Sequence, residues 1–242
     1  MKEAVSLDRF ASLWTALGLT HPPAPVYNQL ITRYAEPHRA YHTLDHVADC
    51  LMEYDRVKDL ITFPHETAAA LWFHDIVYDT KASDNEEKSA DLAVNVMTAP
   101  DLSPDLSPGS SGLSSGLSPG LKYDQIREKI TRVRMLILST KHGGCPQDTP
   151  APDSAYISDI DLTVLGRPSD QFDAYDQQIR QEYAWVPMAM YRQGRVGILQ
   201  DFLKRDRIYL TDHFFNLYEN TARINLSRAV ERLSEESNHA AS

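Results

Sequence analysis

Six side chains in this 242-residue sequence have the types and spacing of metal ligands: His42 and His46, His74 and Asp75, and Asp159 and Asp161. The first pair lies in Tyr41-His42-Thr43-Leu44-Asp45-His46-Val47, and the second closes the apolar run Ala68-Ala69-Ala70-Leu71-Trp72-Phe73. The third lies in Ser158-Asp159-Ile160-Asp161-Leu162. Imidazole nitrogen and carboxylate oxygen together suit a borderline divalent ion such as Mn²⁺, Fe²⁺, Co²⁺ or Zn²⁺. A His-Asp dipeptide alone says little, because chance order in a chain with 9 His gives about one such pair. Its context raises it: six small or apolar residues precede His74, so the pair closes a buried segment, where imidazole and carboxylate need partners. Two readings of that dipeptide stand: a metal site, or a buried His–carboxylate hydrogen bond without metal.

The elements that would carry these residues read as helices. Leu7, Phe10, Leu13, Trp14 and Leu17 recur at helical spacing, and Gly18 supplies a stop. Val47, Leu51, Tyr54, Val57 and Ile61 repeat the pattern after His46, and Pro64 fits the first turn of the helix ending near His74-Asp75. Ser83-x-x-Glu86 reads as a capping box for a helix running to about Met97. Ile126, Ile130, Val133, Leu136 and Ile137 give another, ended by Gly143-Gly144. Helices at about 155–165, 169–183, 187–203 and 212–233 complete the set. No alternating strand pattern competes, so the expected fold is a single all-α domain over residues 1–242. Residues 100–121 stand apart: the doubled word Asp-Leu-Ser-Pro runs into Ser/Gly/Pro/Leu repetition that cannot bury enough apolar surface to order itself. That tract is expected to be a disordered loop inserted between two helices.

The order His46, His74-Asp75 and a late helical Asp resembles the HD superfamily of metal-dependent phosphohydrolases. The strings Arg39-Ala40-Tyr41-His42-Thr43-Leu44-Asp45-His46 and Trp72-Phe73-His74-Asp75-Ile76-Val77-Tyr78-Asp79 are similar to one branch of it. So are Asp84-Asn85-Glu86-Glu87-Lys88-Ser89-Ala90, Asp159-Ile160-Asp161-Leu162-Thr163-Val164-Leu165-Gly166, Ile179-Arg180-Gln181-Glu182-Tyr183 and Gly194-Arg195. The likeness runs from about residue 6 to residue 232, broken by the insertion. It implies an HD-type helical domain whose divalent ion (Mn²⁺, Co²⁺, Fe²⁺, Zn²⁺ or Mg²⁺) is held by His46, His74, Asp75 and Asp161. Asp161 fits the pattern better than Asp159 because an apolar residue, Leu162, follows it. The superfamily's guanosine tetra- and pentaphosphate hydrolases carry Val-Glu-Asp-Thr after the His-Asp pair. Here the string is Val77-Tyr78-Asp79-Thr80, a departure that argues against alarmone hydrolysis.

Phosphoester hydrolysis needs further groups. Asp75 and the nearby Glu86 and Glu87 are the candidate catalytic carboxylates, able to steer water for in-line attack; a cap is the bland role for Glu86, and plain exposure for Glu87. His42 lies four residues before His46, so one helical face could present both. A second-metal ligand, a hydrogen bond to phosphate, or a helix-start cap are its open readings, and His142 shares the ambiguity. Positive charge for phosphate is offered by Arg39, Lys141, Arg192 and Arg195. Residues 180–207 hold six basic against three acidic side chains in a chain of net charge −10, and arginine suits bidentate phosphate contact.

Composition narrows the class. A net charge of −10 argues against a surface that coats nucleic acid. No apolar run approaches the ~20 residues that span a bilayer, and the acid-bearing N-terminus lacks the apolar stretch of a signal peptide. Cys50 and Cys145 read as free thiols of a reducing compartment, so a cytoplasmic location is expected. The expected function is metal-dependent hydrolysis of a small phosphorylated molecule, a phosphomonoester or phosphoanhydride of nucleotide type. The alternatives are a metal- and nucleotide-binding regulatory module without turnover, and a helical domain whose His-Asp set is a hydrogen-bond network.

Overall fold

Helix starts and stops follow local chemistry. The first helix, α1 (Leu7–Leu17), is capped by the Ser6 hydroxyl, which accepts from the Arg9 N–H at 3.2 Å. It ends at Gly18 with φ 87°, a left-handed conformation that glycine adopts without a Cβ penalty. The computed structural model describes residues 3–98, 119–141 and 153–239, the side chains of 119–122 and 236–239 excepted. Residues 100–118 of the Ser/Gly/Pro tract, and His142 and Cys145, lie outside the described residues.

Ten α-helices and no strand occur among the described residues, the all-α fold that the periodicity implies. After α1 come α2 (Pro23–Tyr34), α3 (Leu44–Val57), α4 (Pro64–Phe73), α5 (Asn85–Thr98), α6 (Pro119–Ser139), α7 (Ser154–Asp161), α8 (Ser169–Glu182), α9 (Met188–Leu203) and α10 (Asp212–His239). A 3₁₀ turn, Leu162–Gly166, prolongs α7. Three boundaries differ from the sequence reading. His42 precedes the Thr43 cap of α3, so it does not share a helical face with His46. The expected capping box at Ser83 is displaced: α5 begins at Asn85, and the Lys88 N–H bonds the Asp84 carbonyl at 3.0 Å. α6 starts at Pro119, inside the tract read as loop, because proline suits the first helical position.

α4 is the hub. Every residue from Glu66 to Phe73 is buried, and α1, α3, α5, α6 and α7 all pack against this helix. The three alanines let neighbouring backbones approach closely, while Trp72 and Phe73, fully buried, each contribute about 1.5–3 kcal/mol of apolar burial. Phe10 of α1 meets Trp72 edge-on at 5.3 Å between ring centroids. The one acid in α4, Glu66, is buried and pairs with Arg132 of α6 at 2.9 Å. A helix apolar all round has no slack to rotate, so the residues leaving its C-terminus, His74 and Asp75, are delivered at a fixed place.

Two buried acids fix α7. Asp153, just before it, accepts the N–H groups of Thr62 (2.9 Å) and Phe63 (2.7 Å) ahead of α4. Asp159 accepts the N–H groups of Leu210 and Thr211 and the Thr211 hydroxyl, each at 2.7 Å, ahead of α10. The Tyr209 hydroxyl donates to the Leu162 carbonyl at 3.0 Å, and Asn225 of α10 donates to the carbonyls of Leu165 and Arg167 at 2.9 Å each. These bonds use up carbonyls at the helix end, where the intrahelical ladder leaves them unpaired.

Candidate metal centre

Three helices bring four side chains to one point. His46 comes from the first turn of α3, His74 and Asp75 from the end of α4, and Asp161 from the last position of α7. The two imidazole Nε2 atoms are 3.1 Å apart. Asp161 Oδ1 lies 3.1 Å from His46 Nε2 and 3.5 Å from His74 Nε2. Asp75 Oδ2 lies 3.2 Å from His74 Nε2 and 3.6 Å from His46 Nε2. With metal–ligand bonds of roughly 2.1 Å, neighbouring ligand atoms sit about 3.0 Å apart in an octahedron and about 3.4 Å apart in a tetrahedron. The observed separations span the edges of such a polyhedron.

Electrostatics agrees with the distances. Two lone-pair nitrogens and two carboxylates in a buried pocket repel unless positive charge sits among them. The His74 Nδ1 is 3.0 Å from the Leu71 carbonyl and donates to it, which leaves Nε2 of the neutral ring as the ligand atom. Burial presses the His74 pKa down, but Asp75 and Asp161 more than offset it and hold the ring well above its ordinary value. Burial pushes both acids up, and the imidazoles overcome it, leaving Asp75 and Asp161 below the usual carboxylate range. A proton on His74 is the smallest cation that answers this charge; a divalent ion answers all of it, since two carboxylates balance two positive charges. The imidazole side chains are 1–2% exposed, whereas Asp75 and Asp161 keep 17% and 12%, so the centre opens to solvent on its carboxylate side.

Cys50 is the ligand candidate that sequence reasoning missed. Its sulfur joins His46, His74 and Asp161 in a group whose ligand atoms all lie within 4.8 Å of one another. Four residues after His46 on α3, it has the i,i+4 spacing that would have pointed to it. Its Sγ is 3.8 Å and 3.7 Å from the two ring nitrogens of His46, beside the ring rather than on a lone pair. Burial, then the charges of Asp161 and Asp75, push its thiol well up; Asp75 Oδ2, 3.2 Å and 3.6 Å from the two imidazole Nε2 atoms, is the other candidate for the fourth donor. The group as a whole can bind a metal ion.

The residues expected around phosphate fall into different places. Arg39 is wholly buried and donates to the carbonyls of Asp75 (2.6 Å), Ile76 (3.0 Å) and His42 (3.0 Å). It therefore positions the chain on either side of the centre, and its charge is shared between these carbonyls and the Glu36 carboxylate at 3.2 Å. Arg195 is buried against Asp176 at 3.0 Å and lies over the Tyr175 ring at 5.2 Å; Arg192, three residues earlier, is half-buried. Lys141 pairs with Glu87 at 2.5 Å and donates to the Ser83 carbonyl at 3.2 Å, while Glu86 sits half-buried in the first turn of α5.

His42 is held beside the centre, 5.9 Å from the His46 ring between centroids. Its Nδ1 is 2.7 Å from Glu182 Oε2, and its face stacks on Tyr78 at 4.1 Å. Burial lowers its pKa, but Asp75 and the Glu182 hydrogen bond raise it further, so the net shift is upward. Glu182 also accepts the N–H groups of Ala40, Tyr41 and His42 at 2.8, 2.8 and 2.9 Å. The sequence marks Glu182 only as part of the string Ile179-Arg180-Gln181-Glu182-Tyr183, and its partners, some 140 positions away, are not legible there.

Comparison of this chain with protein families, with curated proteins and with solved structures returns no match. Its functional reading rests on the centre itself.

Proposed function

We propose that this chain is a metal-dependent phosphohydrolase of the HD type, acting on a small phosphomonoester or phosphoanhydride, nucleotides first among them. The observation that carries the reading is the set of four ligand atoms, delivered by three helices and separated by polyhedron-edge distances. His46, His74, Asp75 and Asp161 would hold the ion. When bound, such an ion supplies Lewis acidity toward a phosphoryl oxygen and lowers the pKa of a water to near neutrality. The chain's own residues do the rest. The two imidazoles close the inner side, and the half-open carboxylates of Asp75 and Asp161 line the side from which water and substrate enter. Asp75, partly exposed on that side, would be the carboxylate placed to take a proton from an attacking water. The net charge of −10 favours a small substrate bound in a local site over a polyanion spread on the surface.

A regulatory module that binds metal without turnover is the second reading. It draws on one observation: the Glu87 carboxylate, a candidate to steer water, is paired to Lys141. The experiment that separates the two begins with metal content of the pure chain. A panel of nucleotides and phosphoesters is then tested with Mn²⁺, Co²⁺, Ni²⁺, Mg²⁺ and Zn²⁺. Turnover of any panel member that disappears with chelator supports hydrolysis. Tight metal without turnover favours the module, and a chain that takes up no ion returns the centre to a hydrogen-bond network.

A further inference from the structure

A buried glutamate next to the centre holds more than a structural tie requires. The Glu182 side chain is wholly buried at the end of α8, and its two oxygens divide their work. Oε1 accepts three consecutive backbone N–H groups, those of Ala40, Tyr41 and His42. This fixes the loop in front of α3, and a structural tie would need nothing else. Oε2 faces the His42 imidazole at Nδ1 and receives the Tyr78 hydroxyl at 2.9 Å. The His42 ring is thereby set in two directions: Glu182 fixes its rotation in the plane, and Tyr78, stacked at 4.1 Å and 27°, fixes the plane. With Nδ1 turned to Glu182, Nε2 points from the roughly opposite side of the ring. That ring keeps 19% of its side chain exposed and stands 5.9 Å from His46, so a phosphoryl group bridging the centre and His42 fits the spacing.

Three of the other four candidates for phosphate contact are engaged elsewhere. Arg39 donates to three carbonyls, Arg195 to Asp176, and Lys141 to Glu87. We propose that Glu182 is a positioning residue that, together with Tyr78, sets His42 Nε2 as the contact for a phosphoryl oxygen at the metal centre. The inference rests on the hydrolase reading above and goes beyond it by naming the phosphate contact and the group that aims it. A carboxylate at Nδ1 also favours the doubly protonated ring, whose Nε2–H can then donate a charge-assisted bond to a phosphoryl oxygen.

The test uses the full chain loaded with Mn²⁺ and inorganic phosphate, the shared product of the substrate class, as the probe in calorimetry. His42→Ala is expected to weaken phosphate by about tenfold or more, and Glu182→Gln by a comparable factor, with metal stoichiometry unchanged in both. In the double variant, adding Glu182→Gln to His42→Ala should change phosphate affinity by less than about twofold, because Glu182 acts through His42. Independent, multiplying losses would make Glu182 a purely structural tie and overturn the inference, as would normal phosphate binding by His42→Ala. If Glu182→Gln does not fold, ¹⁵N NMR of the unaltered chain decides: in the phosphate complex His42 must carry protons on both nitrogens, Nδ1–H toward Glu182 and Nε2–H toward phosphate, and its Nε2 resonance must move when phosphate is added. An unmoved Nε2 resonance overturns the inference while leaving the hydrolase reading intact. A metal-loaded chain that neither binds phosphate nor hydrolyses any phosphoester defeats that reading first and this inference with it.

Discussion

Asp159 and Asp161 sit two residues apart at the end of α7 and face opposite tasks. Asp159 is wholly buried and accepts two N–H groups and one hydroxyl ahead of α10, while Asp161 faces His46 and His74. Asp159→Asn turns an amide N–H₂ toward at least one of those donors and should destabilise the fold by about 1–3 kcal/mol while metal content stays normal. Asp161→Asn should do the reverse: little change in the melting of the metal-free chain, and loss of bound metal. Elemental analysis and thermal melts on both variants check this, and metal loss in Asp159→Asn with retention in Asp161→Asn would exchange the two roles. Asp75→Ala is expected to lose metal and activity with helicity largely intact, read by circular dichroism beside metal content; wild-type turnover in that variant would sink the metal-hydrolase reading. Glu182 carries a pH signature of its own. Burial pushes its carboxyl up, but the His42 bond and three N–H groups hold it at about 2, below its ordinary value of 4.5. Its stabilising contribution is therefore fully present above about 4.5 and is lost as pH falls toward 2, on the order of 3 kcal/mol at most. His42 has the opposite sign, its contribution fading as pH rises through a value above 6.5. The stability difference between the unaltered chain and Glu182→Gln should thus be largest between about pH 4.5 and 6.5 and shrink below it. At this scale the ligand types were legible in the sequence and the partners were not. The order His46, His74-Asp75, late Asp stands on the page, but the pairing of His42 with Glu182 is a contact between distant segments that no local pattern encodes.

Among the elements, the turn that prolongs α7 shows how closely α10 presses on the centre's support. A Cβ built on Gly166 would stand 2.5 Å from the Tyr218 Cβ and 2.9 Å from the Tyr218 carbonyl oxygen. Both are parts of α10 that cannot move without the helix. Gly166→Ala should destabilise by roughly 1–3 kcal/mol, as overpacking does, and lower the melting temperature by several degrees. Gly197, in α9, has no atom within 4 Å of the same construction. Gly197→Ala should stabilise by about 0.5–1 kcal/mol through helix propensity alone. Equal melting shifts in the two variants would show that the approach of α10 to the 3₁₀ turn is loose. The helices themselves were well marked where one face alone is apolar, as in α1 and α3, because periodicity records a face. α4 gave no period, since all its faces are buried, and its apolar run with Pro64 marked it instead. The spacing of His42 and His46 allowed one helical face for both, but Thr43 makes the cap and leaves His42 just outside α3.

At the scale of the whole chain, the centre is assembled across the Ser/Gly/Pro tract: His46, His74 and Asp75 precede it in sequence, and Asp161 follows it. What joins the two sides is packing. α5 and α6, the helices flanking the tract, pack on each other and on α4, and Asp153 ties the start of α7 to the segment before α4. No helix among the described residues is long and apolar enough to cross a membrane. If helix packing alone closes the chain, the tract contributes only the entropy of a long loop. That entropy grows slowly with length, as (3/2)RT ln n, so replacing residues 101–118 by about four Gly/Ser residues should stabilise the protein by roughly 1 kcal/mol. The expected readout is a melting temperature higher by about 2–4 °C, with metal content and any turnover unchanged. A shortened chain that loses metal or helicity would mean that the tract packs on the helices or the centre, and the two sides of the ligand set would then depend on it for their register.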